Sequence, residues 1–134
     1  MPKIPIDEVP AGPGMDIAVA LTLGLGDIFQ DGSNYYVASN RAAFQRMKET
    51  GRIYEQAGHF CYPLATYSTD IAAAWKLAET YKHGGFGVGW SESWGVPYCM
   101  MGDAYEYGDT VPLAICRAFL KANGVEFVEV PDAN

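Results

Sequence analysis

Apolar positions recur at helical spacing in four stretches of the chain and alternate at strand spacing in others. From Pro13 to about Gly24, Met15, Val19 and Leu23 lie four residues apart, with Ile17, Ala20 and Leu21 widening the stripe. This predicts a mostly apolar, well-buried helix, opened by Pro13 and stopped by Gly24 and Gly26. Arg41 to about Thr50 has only a narrow apolar side, mainly Ala43, Phe44 and Met47. It predicts a surface helix capped by Ser39 or Asn40 and closed by Gly51. A third helix follows Ser68, the expected N-cap, with Asp70 in its first turn. Ile71, Ala74, Trp75, Ala78 and Tyr81 form its stripe, and His83-Gly84-Gly85 ends it. The fourth is capped by Thr110 or Asp109, tolerates Pro112 in its first turn, buries Ile115, Cys116, Phe119 and Leu120, and stops at Gly124. Arg117 and Lys121 on it are expected to face out or to cover neighbours.

Strand signals are shorter. Phe86 to Glu92 and Gly95 to Met101 predict a β-hairpin turning near Ser93-Trp94-Gly95. In its first strand, Gly85, Gly87 and Gly89 alternate with Phe86, Val88 and Trp90, so one face is bare backbone and the other large and apolar. The bare face is expected to receive the alanine-rich third helix. Ala104 to Tyr107, Tyr35 to Ala38 and Val125 to Val130 predict further short strands, the last with Val125, Phe127 and Glu129 on one side. Asp27 to Asn34 reads as loop around Asp31-Gly32-Ser33-Asn34, and Arg52 to Tyr67 as irregular and aromatic. Prolines at 2, 5 and 10 make residues 1–12 an extended arm, loose or laid on another surface.

The 134 residues suit one domain, covering 13–134, and a hydrophobic share of 49% supplies a core. The net charge of -7 disfavours nucleic-acid partners, which need basic surface. No apolar run reaches the ~20 residues of a membrane span, and the start lacks the apolar core of a signal peptide. Three cysteines, Cys61, Cys99 and Cys116, suit free thiols in a reducing compartment. Charge is uneven: Arg41, Arg46, Lys48 and Arg52 gather early, and Glu92, Asp103, Glu106 and Asp109 later.

Catalytic and metal motifs are weak. Gly85-Phe86-Gly87-Val88-Gly89 follows a helix and enters a hairpin, the reverse of a dinucleotide fingerprint. His59, Cys61, His83 and Cys99 lack zinc-site spacing. No G-x-S-x-G elbow is present. The late carboxylates could supply an acid/base pair, but a solvated acidic hairpin edge explains them more simply. No catalytic residue, metal ligand or cofactor is therefore assigned. The aromatics are the better lead. Nine tyrosines and three tryptophans are many for this length, and Trp90, Trp94 and Tyr98 lie around the hairpin turn, where rings can stack a ligand or anchor a partner. Trp75 is expected to fill the core.

Two stretches carry a family resemblance. Ser68-Thr69-Asp70-Ile71-Ala72-Ala73-Ala74-Trp75 and Pro112-Leu113-Ala114-Ile115-Cys116-Arg117-Ala118 resemble the central and last helices of the phage ABA-sandwich proteins. The Pro10-Ala11-Gly12-Pro13 opening, followed by Asp16, is also similar. The resemblance covers the first helix and about Ser68 to Gly124, with about 34–67 set apart as an insertion. It implies a viral origin and an α/β (α+β) sandwich, helices packed on a small, mainly antiparallel sheet. It brings no catalytic residues.

The expected function is a non-enzymatic phage accessory protein in the host bacterial cytoplasm. It would bind a small anionic ligand or a host protein through Arg41, Arg46, Arg52, Trp90, Trp94 and Tyr98. The alternative is a virion or assembly component that contacts copies of itself, and a weaker one is a small hydrolase using the acidic hairpin.

Overall fold

Each of the four helical patterns forms a helix in the computed structural model of the protein, which describes residues 3–81 and 84–129. His83 and Val130, both named above, lie outside the described residues. In chain order the elements are β1 (Lys3–Pro5), α1 (Pro13–Leu23), β2 (Asp27–Asp31), β3 (Asn34–Ala38), α2 (Arg41–Thr50), β4 (Tyr54–Gln56), β5 (His59–Pro63), α3 (Ile71–Thr80), β6 (Phe86–Ser91), β7 (Val96–Met101), β8 (Ala104–Tyr107), α4 (Val111–Ala122) and β9 (Phe127–Glu129). The class is the expected α+β. Its strands, however, form three antiparallel sheets rather than one: β1-β9, β2-β3-β5-β4 and β6-β7-β8. The chain divides into two compact units. One holds the residues up to Val19 and from Thr66 onward, and the other is Ala20–Ala65.

The first unit is built on α4, which packs against β7, β8 and α3. Thr110 caps it by accepting from Leu113 N, and Gly124, at φ +81°, ends it. Leu113, Ala114, Ile115, Cys116, Ala118, Phe119 and Leu120 are all buried, more than one stripe of the helix. Residues 3–9 are ordered on this unit and do not project as an arm. β1 pairs with β9 in the register Ile4↔Val128, Ile6 N donates to Glu126 O, and Ile6 and Val9 are buried. In β9 the buried residue is Val128, whereas Phe127 is exposed, so the inward side is the opposite of the Val125/Phe127 side.

On α3 the buried positions are Ala74, Leu77 and Ala78, spaced i, i+3, i+4. This stripe is rotated from the one the sequence suggests. Ile71 and Trp75 are exposed by about half, and Trp75 meets Phe86 edge-on at 5.1 Å instead of filling the core. Small residues win the helix contact because they allow the close approach of α3 to α4. The N-cap is Asp70, accepting from Ala72 N, and not Ser68. Ser68 is fully buried: its N–H and its Oγ both donate to Asp16 of α1 at 2.8 Å, and its Oγ accepts from Gly12 N.

The second unit corrects two loop assignments. Asp27–Asp31 and Asn34–Ala38 form a hairpin about Gly32, at φ +64°. Tyr54–Gln56 and His59–Pro63 form another, turning at Ala57 and Gly58, at φ +55° and +83°. Polar and aromatic residues alternate too irregularly there to announce strands, and the left-handed turn pair decides the pairing. α2 caps on Asn40, closes on Gly51, and lays Ala43, Phe44 and Met47 on this sheet beside Ala38 and Cys61. Phe29 stacks on Phe44 at 4.9 Å.

Candidate functional site

The β6-β7-β8 sheet has two unlike faces because its register places residues of one kind on each. Gly89↔Tyr98↔Tyr107 and Gly87↔Met100↔Tyr105 point one way; Val88↔Cys99↔Glu106 and Phe86↔Met101↔Ala104 point the other. On the second face Cys99 and Met101 are fully buried, and α4 packs against both β7 and β8. On the first face Met100 and Tyr105 are each 44% exposed.

That first face is a continuous set of rings. Tyr98 stacks on Tyr105 at 4.9 Å, Tyr105 meets Tyr107 edge-on at 5.4 Å, and Trp94 of the β6–β7 turn reaches Tyr107 at 6.2 Å. Trp94 is 71% exposed. Its turn is held by Gly95, at φ +69°, whose N–H donates to Ser91 O, and by Trp94 N donating to Ser91 Oγ. The glycines are part of the same surface. A methyl at Gly89 would lie 2.6 Å from Tyr98 Cζ, so the tyrosine ring lies over this bare backbone. A methyl at Gly87 would meet nothing. The glycine face is thus covered by a cross-strand ring at one end and open at the other; it does not receive the alanine-rich helix. Partial desolvation among the rings, followed by a hydrogen bond with Tyr107, raises the Tyr105 pKa.

Two of the sequence candidates, Trp94 and Tyr98, join this cluster. Trp90 does not: its register partner is Pro97, and it belongs to the opposite face, although it is exposed. Met100, Tyr105 and Tyr107 complete the surface and were not singled out by sequence. Their signal was the alternation of Tyr105 and Tyr107, readable only once β8 is set in register with Tyr98. Arg41, Arg46 and Arg52 belong to the second unit and are exposed. Arg41 lies over the Phe29 ring at 5.3 Å, Arg46 stands five positions on, about 140° around the helix, and Arg52 follows the Gly51 cap.

The late carboxylates do not converge. Glu92 lies in the β6–β7 turn and Asp109 just after β8, at one end of the sheet, while Asp103 is in the β7–β8 turn at the other. Glu106 belongs to the face turned toward α4 and lies beside Asp7. Desolvation and the hydrogen bond to Asp7 raise the Glu106 pKa to about 7, while that same hydrogen bond lowers Asp7. Lys121 and Arg117 add opposing charge nearby. Arg117 itself donates to Tyr107 O at 2.9 Å and Val9 O at 3.0 Å, tying β8 to the N-terminal segment. Among the described residues its Nε is buried without a hydrogen-bond partner. Asp16 has a raised pKa, because burial outweighs the two Ser68 hydrogen bonds that favour its anion.

Cys61, Cys99 and Cys116 are free and buried, and burial raises all three pKa values, that of Cys99 to about 11. A thiol held so far above neutrality is a poor nucleophile. His59 is exposed beside Asn40, at 3.1 Å, while Cys61 is buried. Among the described residues no group of three or more histidine, cysteine and acidic side chains could hold a metal. No helix there is long and apolar enough to cross a membrane.

A family comparison agrees with the resemblance noted in the sequence. No curated protein and no solved structure matches the chain. The phage ABA sandwich domain matches residues 32–120, which takes in the segment 34–67, α3, the β6-β7-β8 sheet and most of α4, and leaves α1 outside. With about two thirds of its length in that match, and with α3 and α4 formed where the two resembling stretches lie, the chain belongs to the phage ABA sandwich domain family.

Proposed function

We propose that this phage-family protein acts by binding, without catalysis of its own, and that it docks a partner protein on the open face of β6-β7-β8. One observation carries the reading: Trp94, Tyr98, Met100, Tyr105 and Tyr107 form a continuous ring-and-thioether surface while the other face of the same sheet supplies the core. Tryptophan and tyrosine supply large contact area at small entropic cost and are enriched where binding energy concentrates. The buried thiols and the separated carboxylates favour binding over hydrolysis. A partner protein is favoured over a small anion because residues 84–116 contain four carboxylates and no lysine, arginine or histidine. The arginines of the second unit are spread around α2 and beyond its end, which suits a solvated surface better than a pocket.

The test is native mass spectrometry of protein isolated from infected cells. A partner adduct should be present with the unmodified chain, lost in a Trp94→Ser/Tyr105→Ser double variant, and kept in an Arg46→Ala/Arg52→Ala variant. An adduct that survives the aromatic double variant, or no adduct with the unmodified chain, overturns the proposal.

A further inference from the structure

The docking face has a small area and a one-sided charge. Three strands about 4.8 Å apart and six residues of about 3.3 Å rise give a surface of roughly 300 Å². A stable pair of globular proteins buries about 800 Å² on each side. The face therefore suits a short extended segment better than a globular surface or a second copy of this chain.

Charge narrows the occupant further. Ala20–Ala65 holds four acidic and four basic residues, so the whole net charge of -7 falls on the other unit. In the segment that carries the rings the imbalance is complete, with only carboxylates among the charged residues from 84 to 116. Glu92 and Asp109 stand at the end of the sheet that carries Trp94, and Asp103 at the opposite end. All three are exposed. Between them the stacked pair Tyr98–Tyr105 and the neighbouring Tyr107 offer ring faces, which attract cations through their quadrupole.

We infer that the occupant of this face is an extended, arginine- or lysine-bearing segment of a partner protein, its cationic groups seated on the tyrosine rings between carboxylates at the two ends of the sheet. The inference rests on the docking function proposed above and names the chemistry of that partner. The same cationic groups are repelled by no residue of the sheet, whereas an acidic or phosphorylated segment would meet Glu92, Asp103 and Asp109. Arginine suits the site better than lysine because its planar, weakly hydrated guanidinium stacks on a ring.

The probe is a ten-residue peptide alternating arginine and threonine. Its control carries citrulline at each arginine, which keeps the shape and removes the charge. Binding to the full chain is followed by calorimetry and by the aromatic NMR signals of Tyr98, Tyr105 and Tyr107. The arginine peptide should bind and shift those signals, and the citrulline peptide should bind about ten-fold more weakly or worse. Tyr105→Phe, which keeps the ring, should stay within about two-fold, while Tyr105→Leu, which keeps only apolar area, should weaken binding about three- to ten-fold. Equal binding of the two peptides, equal loss in Tyr105→Phe and Tyr105→Leu, or shifts confined to residues off this face would each overturn the inference. If the arginine peptide fails while the Trp94→Ser/Tyr105→Ser variant still loses its native adduct, the docking face stands and the cationic occupant falls. If that adduct survives, the docking function falls as well.

Discussion

The two faces of the β6-β7-β8 sheet come from the same three strands, yet one is built for packing and the other for contact. Toward α4 the sheet presents Pro97, Cys99 and Met101, all buried. Away from it stand Tyr98, Met100, Tyr105 and Tyr107, with Trp94 at the turn. Both sets are apolar in bulk. The buried set is compact and has few polar atoms to satisfy; the open set has hydroxyl tips and flat rings that tolerate water on one side. Hydrophobicity alone therefore does not distinguish core from working surface here. What separates them is whether the fold supplies a second layer.

Substitutions on the two faces should separate along this line. The largest effect is expected at Met101→Ala on the buried face, a loss of about 2–5 kcal/mol in chemical denaturation. A loss below about 1 kcal/mol would mean that α4 does not close this face. Ser68→Ala, which leaves the buried Asp16 without its hydroxyl donor, should lose about 1–3 kcal/mol by the same measurement. Glu106→Gln tests the one carboxyl on the inner face. Its raised folded pKa means that the wild-type protein is stabilised below the ordinary glutamate range and loses this stability as pH rises toward about 7. Relative to wild type, the variant should therefore gain stability between pH 5 and pH 8, by about 1 kcal/mol at most because water screens the group. A constant difference across that range would mean that Glu106 does not titrate with a raised pKa.

On the open face effects on stability should be smaller. Gly87→Ala, where a methyl meets nothing, should stabilise by about 0.4–1 kcal/mol, whereas Gly89→Ala must push the Tyr98 ring aside and should gain nothing or lose. Tyr105→Ser should change stability least, within about 0.5 kcal/mol in chemical denaturation. A Tyr105→Ser loss as large as that of Met101→Ala would show that the open face belongs to the core.

Much of this was legible in the chain. The α4 stripe, its Pro112 and Thr110 start and its Gly124 stop follow from local rules that tertiary structure did not override. So did Asn40 and Gly51 around α2. The hairpin was placed to within a residue or two because Gly95 must turn. The failures have a common cause. On α3 the side chains large enough to dominate a hydrophobic stripe, Ile71 and Trp75, lost the interface to Ala74 and Ala78, because close helix packing rewards small residues. Ser68 satisfied every local rule for a cap and was instead taken by Asp16, a residue 52 positions away. Trp90 and Trp94 look equivalent around one turn, but register sets Trp90 opposite Pro97 on the α4 side, while the turn carries Trp94 to Tyr107 on the other face.

The sequence by itself determined where α2 and α4 start and stop, that β6 has a bare side and a bulky side, and that the charged residues beside the aromatic hairpin are acidic. These are properties of neighbouring residues and of periods 2 and 3.6. Only the tertiary structure decided which side of the sheet meets α4, and hence that Tyr98, Tyr105 and Tyr107 lie together on the other side. That choice depends on strand register and on the one helix available to cover a face, and neither is written in any local stretch of the chain.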